Sequence, residues 1–100
     1  MRMLVSFQNP VEPFNTMVKN GTAGPAIKKI LEAIKPEAVY FCANKGKRGG
    51  IMVVDLPDAS YIPKIAEHLF LTFESTVEFV PCMLPEDLEK ARLEDFQEKR

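Results

Sequence analysis

The sequence predicts an α+β domain in the order β-α-β-β-α-β with a terminal helix. Three observations carry this. Four apolar runs have the length and composition of strands, two intervening segments repeat apolar residues at helical spacing, and Gly, Pro and Asn clusters punctuate the joins. With right-handed crossovers, that order is the split-βαβ or ferredoxin-like plan, whose antiparallel sheet runs 4-1-3-2 with both helical segments on one face.

Each element has its own local justification. Met3 to Phe7 is a short apolar run that Asn9-Pro10 ends. Asn9, Pro10 and Glu12 fit a helix N-cap, a first-turn proline and a capping-box acid. The helix from Val11 to Asn20 meets Gly21, the residue expected just past a helix end, and Thr22-Ala23-Gly24-Pro25 breaks or kinks the helical stretch there. Ile27, Ile30, Leu31 and Ile34 then form one buried stripe, which Lys35-Pro36 stops. Ala38 to Ala43 and Ile51 to Leu56 are strands, joined by a hairpin through Asn44-Lys45-Gly46-Lys47-Arg48-Gly49-Gly50. Ser60 caps a helix with Pro63 in its first turn and the stripe Ile62, Ile65, Ala66, Leu69, Phe73. Thr76 to Met83 is the fourth strand, and Pro85-Glu86-Asp87 opens a terminal helix expected over 85–98.

The 100 residues and 11.3 kDa suit one domain spanning 1–100. A compact monomer of this mass exposes about 5,700 Å² and buries roughly 65% of its unfolded surface, enough for one core. The net charge of −1 gives no global field toward nucleic acid or anionic lipid. No apolar run approaches the roughly 20 residues of a membrane span, and Met1 to Gln8 turns polar too soon for a signal-peptide core. Cys42 and Cys82 have neither disulfide-framework nor metal spacing, and each fits a small buried hydrophobe on an opposite sheet edge. A cytoplasmic protein without metal or cofactor is the expectation.

Alternation splits each strand into two sets of side chains, and neither set is polar. A face carrying Leu4, Tyr40, Met52, Val54 and Val80 does not stay wet, since each buried apolar side chain contributes about 1.5–3 kcal/mol. The terminal helix offers only Leu88, Ala91, Leu93 and Phe96, too narrow a stripe to cover four strands. A second copy, packing sheet to sheet about a two-fold axis, is the better cover.

Met1-Arg2-x-Leu4-Val5-x-Phe7, Gly21-Thr22-Ala23-Gly24, Pro36-Glu37-Ala38-Val39-Tyr40-Phe41, Phe70-Leu71-Thr72-Phe73, Val77-Glu78-Phe79 and Pro85-Glu86-Asp87-Leu88 carry a resemblance over essentially the whole chain. They resemble an uncharacterised bacterial family of the dimeric α+β barrel superfamily. The resemblance implies a homodimer; the wider superfamily includes cofactor-free isomerases and monooxygenases, haem proteins and stress-response proteins. Where the family has Pro-Trp before Phe-Leu-Thr-Phe, this chain has His68-Leu69, and Leu84 replaces the capping Thr before Pro-Glu-Asp-Leu. Fold transfers across such a group more readily than function.

The candidate proton-handling residues are Glu78, His68 and Tyr40. His68, the sole histidine, lies off the buried stripe, and no acid or nucleophile is spaced to meet it. Glu78 lies on a strand adjacent to that of Ser6; in an apolar cavity its pKa would rise, while pairing with Arg2 or a hairpin base is the plainer role. Phe7, Tyr40, Phe41, Tyr61, Phe70 and Phe79 are candidate lining for a pocket between sheet and helices that takes a small organic ligand, although core packing accommodates the same aromatics. Such a pocket serves either a binding protein or a cofactor-free isomerase or monooxygenase. The alternative is a structural or interaction protein that uses the barrel only to dimerise, with the terminal helix as an exchanged arm.

Nucleic-acid and nucleotide roles are disfavoured. Lys45 to Gly50 joins two strands rather than opening a helix, so it lacks a phosphate-binding N-terminus. In Arg48-Gly49-Gly50-Ile51-Met52-Val53-Val54-Asp55, the positions where RNA-recognition motifs carry stacking aromatics hold Gly50, Met52 and Asp55.

Overall fold

The computed structural model describes residues 1–98. Strand β1 (Arg2–Gln8) leads into helices α1 (Val11–Lys19) and α2 (Ala23–Ile34), then β2 (Ala38–Asn44) and β3 (Lys47–Asp55). Helix α3 (Tyr61–Phe73), strand β4 (Thr76–Pro81) and a short helix α4 (Pro85–Lys90) complete the order, with a 3₁₀ turn over Leu93–Phe96 at the end. The four strands form one antiparallel sheet in the order β2-β3-β1-β4, which read from the β4 edge is 4-1-3-2.

One sheet face packs under the helices. Met3, Val5 and Phe7 of β1 and Met52 and Val54 of β3 are buried there, joined by Phe14, Ile30, Ile65, Leu69 and Phe73 from the helices. Val5 is the hub, with 0% exposure, and lies opposite Met52 on one side and Phe79 on the other. That register corrects the expected composition of the second face. Because Val5 pairs with Met52, Met52 and Val54 turn toward the helices, while Ile51 and Val53 share the open face with Leu4, Ala38, Tyr40 and Val80. Alternation alone does not set which parity of β3 points inward when both sets are apolar.

The helical connection after β1 also differs in detail from expectation. Pro10, not Asn9, occupies the cap position of α1, and Glu12 keeps an extended backbone, so regular helix begins at Pro13. The Glu12 carboxylate accepts from the Thr16 amide at 3.2 Å and from its hydroxyl at 2.7 Å, rather than reaching back in a capping box. Gly21 at φ +80 ends the first helix as a Gly just past a helix end suggests; the second stops at Lys35-Pro36 as expected, but with Lys35 at φ 52 in the left-handed region rather than the extended one usual before proline. Ser60 precedes α3, but its hydroxyl accepts no helix amide and instead donates to Asp58 Oδ1, and its amide donates to the same oxygen at 2.8 Å.

The glycine-rich join between β2 and β3 is shorter than its composition suggests. Asn44 pairs with Lys47, so only Lys45 and Gly46 form the turn, at φ 54 and φ 78. Two successive positive φ values are the signature of a two-residue turn that matches strand twist. Gly49 and Gly50 belong to β3 and serve packing. A Cβ on Gly50 would collide with the Tyr40 carbonyl oxygen and stand 3.0 Å from the Phe7 ring. The Phe7 ring lies where a side chain at 50 would be, edge-on to Phe41 at 6.2 Å.

Beyond β4 the chain leaves the body. Every residue of α4 and of the 3₁₀ turn is exposed, and Arg92 at φ 54 breaks the helix expected over 85–98. The Leu84 amide donates to Asp87 at 2.9 Å, so the start of α4 is capped, but no buried residue anchors the remainder. A short exposed helix lacks the tertiary packing that supplies most helical stability. The resulting shape is long, 68 × 28 × 18 Å, with a radius of gyration of 17.3 Å against about 13 Å for a compact chain of this length.

Two sets of variants test these packing and capping roles. Gly50→Ala is expected to cost about 3 kcal/mol, through overpacking against backbone, and Gly46→Ala about 1 kcal/mol, through left-handed strain alone, both read from urea midpoints. The Glu12 and Asp58 carboxyls are held below their ordinary range, chiefly by the Thr16 and Ser60 hydroxyls. Their stabilisation is complete above the unfolded carboxylate range and is lost as pH falls through the lower folded values. Stability curves between about pH 6 and about pH 2 should therefore be flatter for Glu12→Gln with Asp58→Asn than for the parent.

Candidate functional site

The helix-covered face holds a half-open cavity of about 390 Å³, within the span of roughly 300–1,000 Å³ of small-molecule sites. Phe7, Phe41, Gly49 and Met52 form its sheet side; Phe14, Ile27, Ile30, Leu31, Leu69 and Phe73 close it from the helices. The sheet side is hollow because Gly50, opposite Phe7 and Phe41 on this face, contributes no side chain. Above it, Phe14 and Phe73 meet at 5.1 Å between ring centroids. Most of the wall is buried, whereas Phe41 is 54% exposed and Arg48 is exposed too, so the mouth lies at the β2–β3 side.

Two polar residues interrupt this apolar wall. Asn9, 5% exposed, accepts from the Ser75 hydroxyl at 2.5 Å, and its backbone amide donates to the Arg48 carbonyl at 2.7 Å. The residue expected to cap α1 thus ties the end of β1 to the start of β4 and to β3. Arg48 lays its guanidinium 5.0 Å from the centroid of Phe14 and donates to Asn15 Oδ1 at 2.6 Å. Its charge contributes, least among several causes, to the lowered pKa of Glu12.

Of the aromatics expected to line a pocket, Phe7 and Phe41 do so. Phe79 packs against the core beneath the helices without lining this cavity. Tyr40 is on the opposite sheet face, 67% exposed, because its neighbour Phe41 takes the helix-facing parity. Tyr61 lies at the start of α3, under Lys64 at 4.4 Å, and rims a separate surface groove with His68. Phe70 is exposed on the far side of α3.

The three proton-handling candidates do not meet. Tyr40, Ile51, Ser6 and Glu78 form one row across the open face, so Tyr40 and Glu78 stand three strand spacings apart, about 14 Å. His68 is exposed on α3, in the other layer. Arg2 is committed to Glu37 at 2.9 Å and approaches Asp55 at 3.9 Å, which corrects its expected pairing with Glu78. Glu78 instead borders a shallow groove with Ser6, Gln8, Asn44 and Lys45. Cys42 is exposed, not buried as expected, because it occupies the open-face parity of an edge strand.

Asn9, Arg48 and Phe14 were not legible from sequence as parts of a site. Arg48 carried one signal, a cation four residues before Met52 on the inward parity of β3, but only the register fixes that parity. Among the described residues, no helix is long and apolar enough to cross a membrane. Comparison with protein-family models and with curated proteins gives no match.

Ser75→Ala should cost about 1–3 kcal/mol by leaving the buried Asn9 carbonyl without its donor, as checked by chemical denaturation. The same change in an Asn9→Ala background should cost clearly less.

Proposed function

We propose that this chain is a homodimeric α+β barrel protein whose cavity between sheet and helices binds a small apolar or aromatic organic molecule. The cavity carries the proposal. Its wall is a continuous set of Phe, Ile, Leu and Met side chains, with a few polar groups near one mouth, the usual make-up of a small-molecule site. Tyr40, His68 and Glu78 are dispersed over two layers, which favours binding over catalysis by these residues.

Assembly with a second copy is supported by the surface left outside the core. The chain exposes 7196 Å², about 1,500 Å² above the roughly 5,700 Å² expected of a compact monomer of its mass. A standard interface removes about 800 Å² from each partner. Leu4, Ala38, Tyr40, Ile51, Val53 and Val80 form one sheet face without a layer over it, and Leu84, Leu88, Leu93 and Phe96 project from the arm after β4. The resemblance to dimeric α+β barrels points to the same pairing.

Thermal-shift profiling against aromatic acids, quinones, lactones and haem tests the binding function. A ligand at 100 times its Kd should stabilise by about 2.7 kcal/mol, a rise of several degrees. Leu31→Phe, which fills the cavity, should remove that rise without lowering the unliganded Tm. Silence across the panel in the parent protein favours the alternative, a barrel used only for dimerisation. Light scattering at micromolar concentration should return twice 11.3 kDa, and 11.3 kDa itself would refute the pair.

A further inference from the structure

The cavity has an electrostatic polarity that its apolar wall does not by itself suggest. Arg48 is the one charged side chain among its lining residues. Of the five N–H donors in a guanidinium, the described residues engage one, at Asn15. No carboxylate of the described residues lies within ion-pair distance of Arg48, in contrast to Arg2 and Arg92, which both have acidic partners. The Phe14 ring beneath the guanidinium fixes its plane at the mouth while leaving the rest of the fork open.

Asn9 supplies the second donor. Its side-chain oxygen is taken by Ser75, and its Nδ2 has no partner among the described residues. Asn9 is itself among the residues lining the cavity, which puts its side-chain amide at that wall. The two residues are neighbours across β1 and β3, held by the 2.7 Å bond from the Asn9 amide to the Arg48 carbonyl. An uncharged donor inside and a cationic fork at the entrance, with aromatic and aliphatic wall beyond them, specify the two ends of a ligand.

We infer that the cavity takes a small carboxylic acid, its aryl or alkyl body among Phe7, Phe14, Ile30 and Phe73, and its carboxylate held by the Arg48 guanidinium and the Asn9 side-chain amide. This rests on the proposed binding function and narrows it to a ligand class. A carboxylate suits both donors, because the guanidinium fork grips two oxygens at once and each remaining lone pair accepts from a neutral amide. The pair forms at the mouth, where neither partner is fully desolvated, so the energetic penalty of a deeply buried ion pair is avoided.

The experiment compares three acids with their own amides: 1-naphthylacetate, 3-phenylpropanoate and octanoate, each by calorimetric titration. Acid and amide have nearly the same shape, so their difference isolates charge recognition. At least one acid should bind about tenfold tighter than its amide, the scale expected for a hydrogen bond to a charged group. Arg48→Met should lower affinity for that acid about tenfold and leave the amide unchanged, while Arg48→Lys should recover part of the loss. Should Arg48→Met fail to fold, Arg48→Gln serves the same purpose. An acid and amide that bind equally would overturn the carboxylate assignment and leave the binding function standing. Acid preference that survives Arg48→Met would overturn the anchor. Failure of all six compounds would count against both.

Discussion

The register of β1 between β3 and β4 is the constraint on which the rest depends. Val5 opposite both Met52 and Phe79 places one parity of all three strands under the helices. A slip of one residue would exchange the two faces of β1, removing Met3, Val5 and Phe7 from the core at once. The same register sets Gly50 beside Phe7 and Arg48 next to Asn9, so the packing of the core and the geometry of the cavity have a common origin.

The two glycines at 49 and 50 link that register to the cavity. In a continuous apolar strand they would be a weakness, since they bring no side chain to the core. Here the missing side chain at Gly50 allows the Phe7 ring to turn toward Phe41 and leaves a hollow that the helices roof without filling, while Gly49 lets the backbone of Phe7 and Gln8 approach closely. A strand completed by larger residues would have closed this space. Asn9 acts at the same end, because its bonds to Ser75 and Arg48 hold β1, β3 and the start of β4 together around the opening.

The sheet also divides the molecule's chemistry. Beneath the helices it supports a cavity with donors at one end, while the open face holds Tyr40 and Glu78 apart in a row set by pairing, and His68 lies on α3 in the other layer. The three side chains most readily suspected of proton transfer therefore sit where geometry prevents concerted use. The arm after β4 extends from this body without burying any of its leucines, which is why the chain's surface exceeds that of a compact monomer.

Much of the fold was legible from local rules. Helix-period stripes, Gly21, the Lys35-Pro36 stop and the punctuation between apolar runs identify the elements and their order, because each depends on residues close in the chain. Lys45-Gly46 marks a hairpin for the same reason, although the pairing of Asn44 with Lys47 shortened the loop. Tertiary contacts decided what alternation left degenerate. With both sets of β3 residues apolar, only pairing with β1 turned Met52 inward and Ile51 outward. Only the fold brought Asn9 to Ser75, 66 residues away, in place of the local cap it resembles. The terminal helix stopped at Lys90, rather than 98, because helical spacing without a surface to pack on does not hold a short exposed segment.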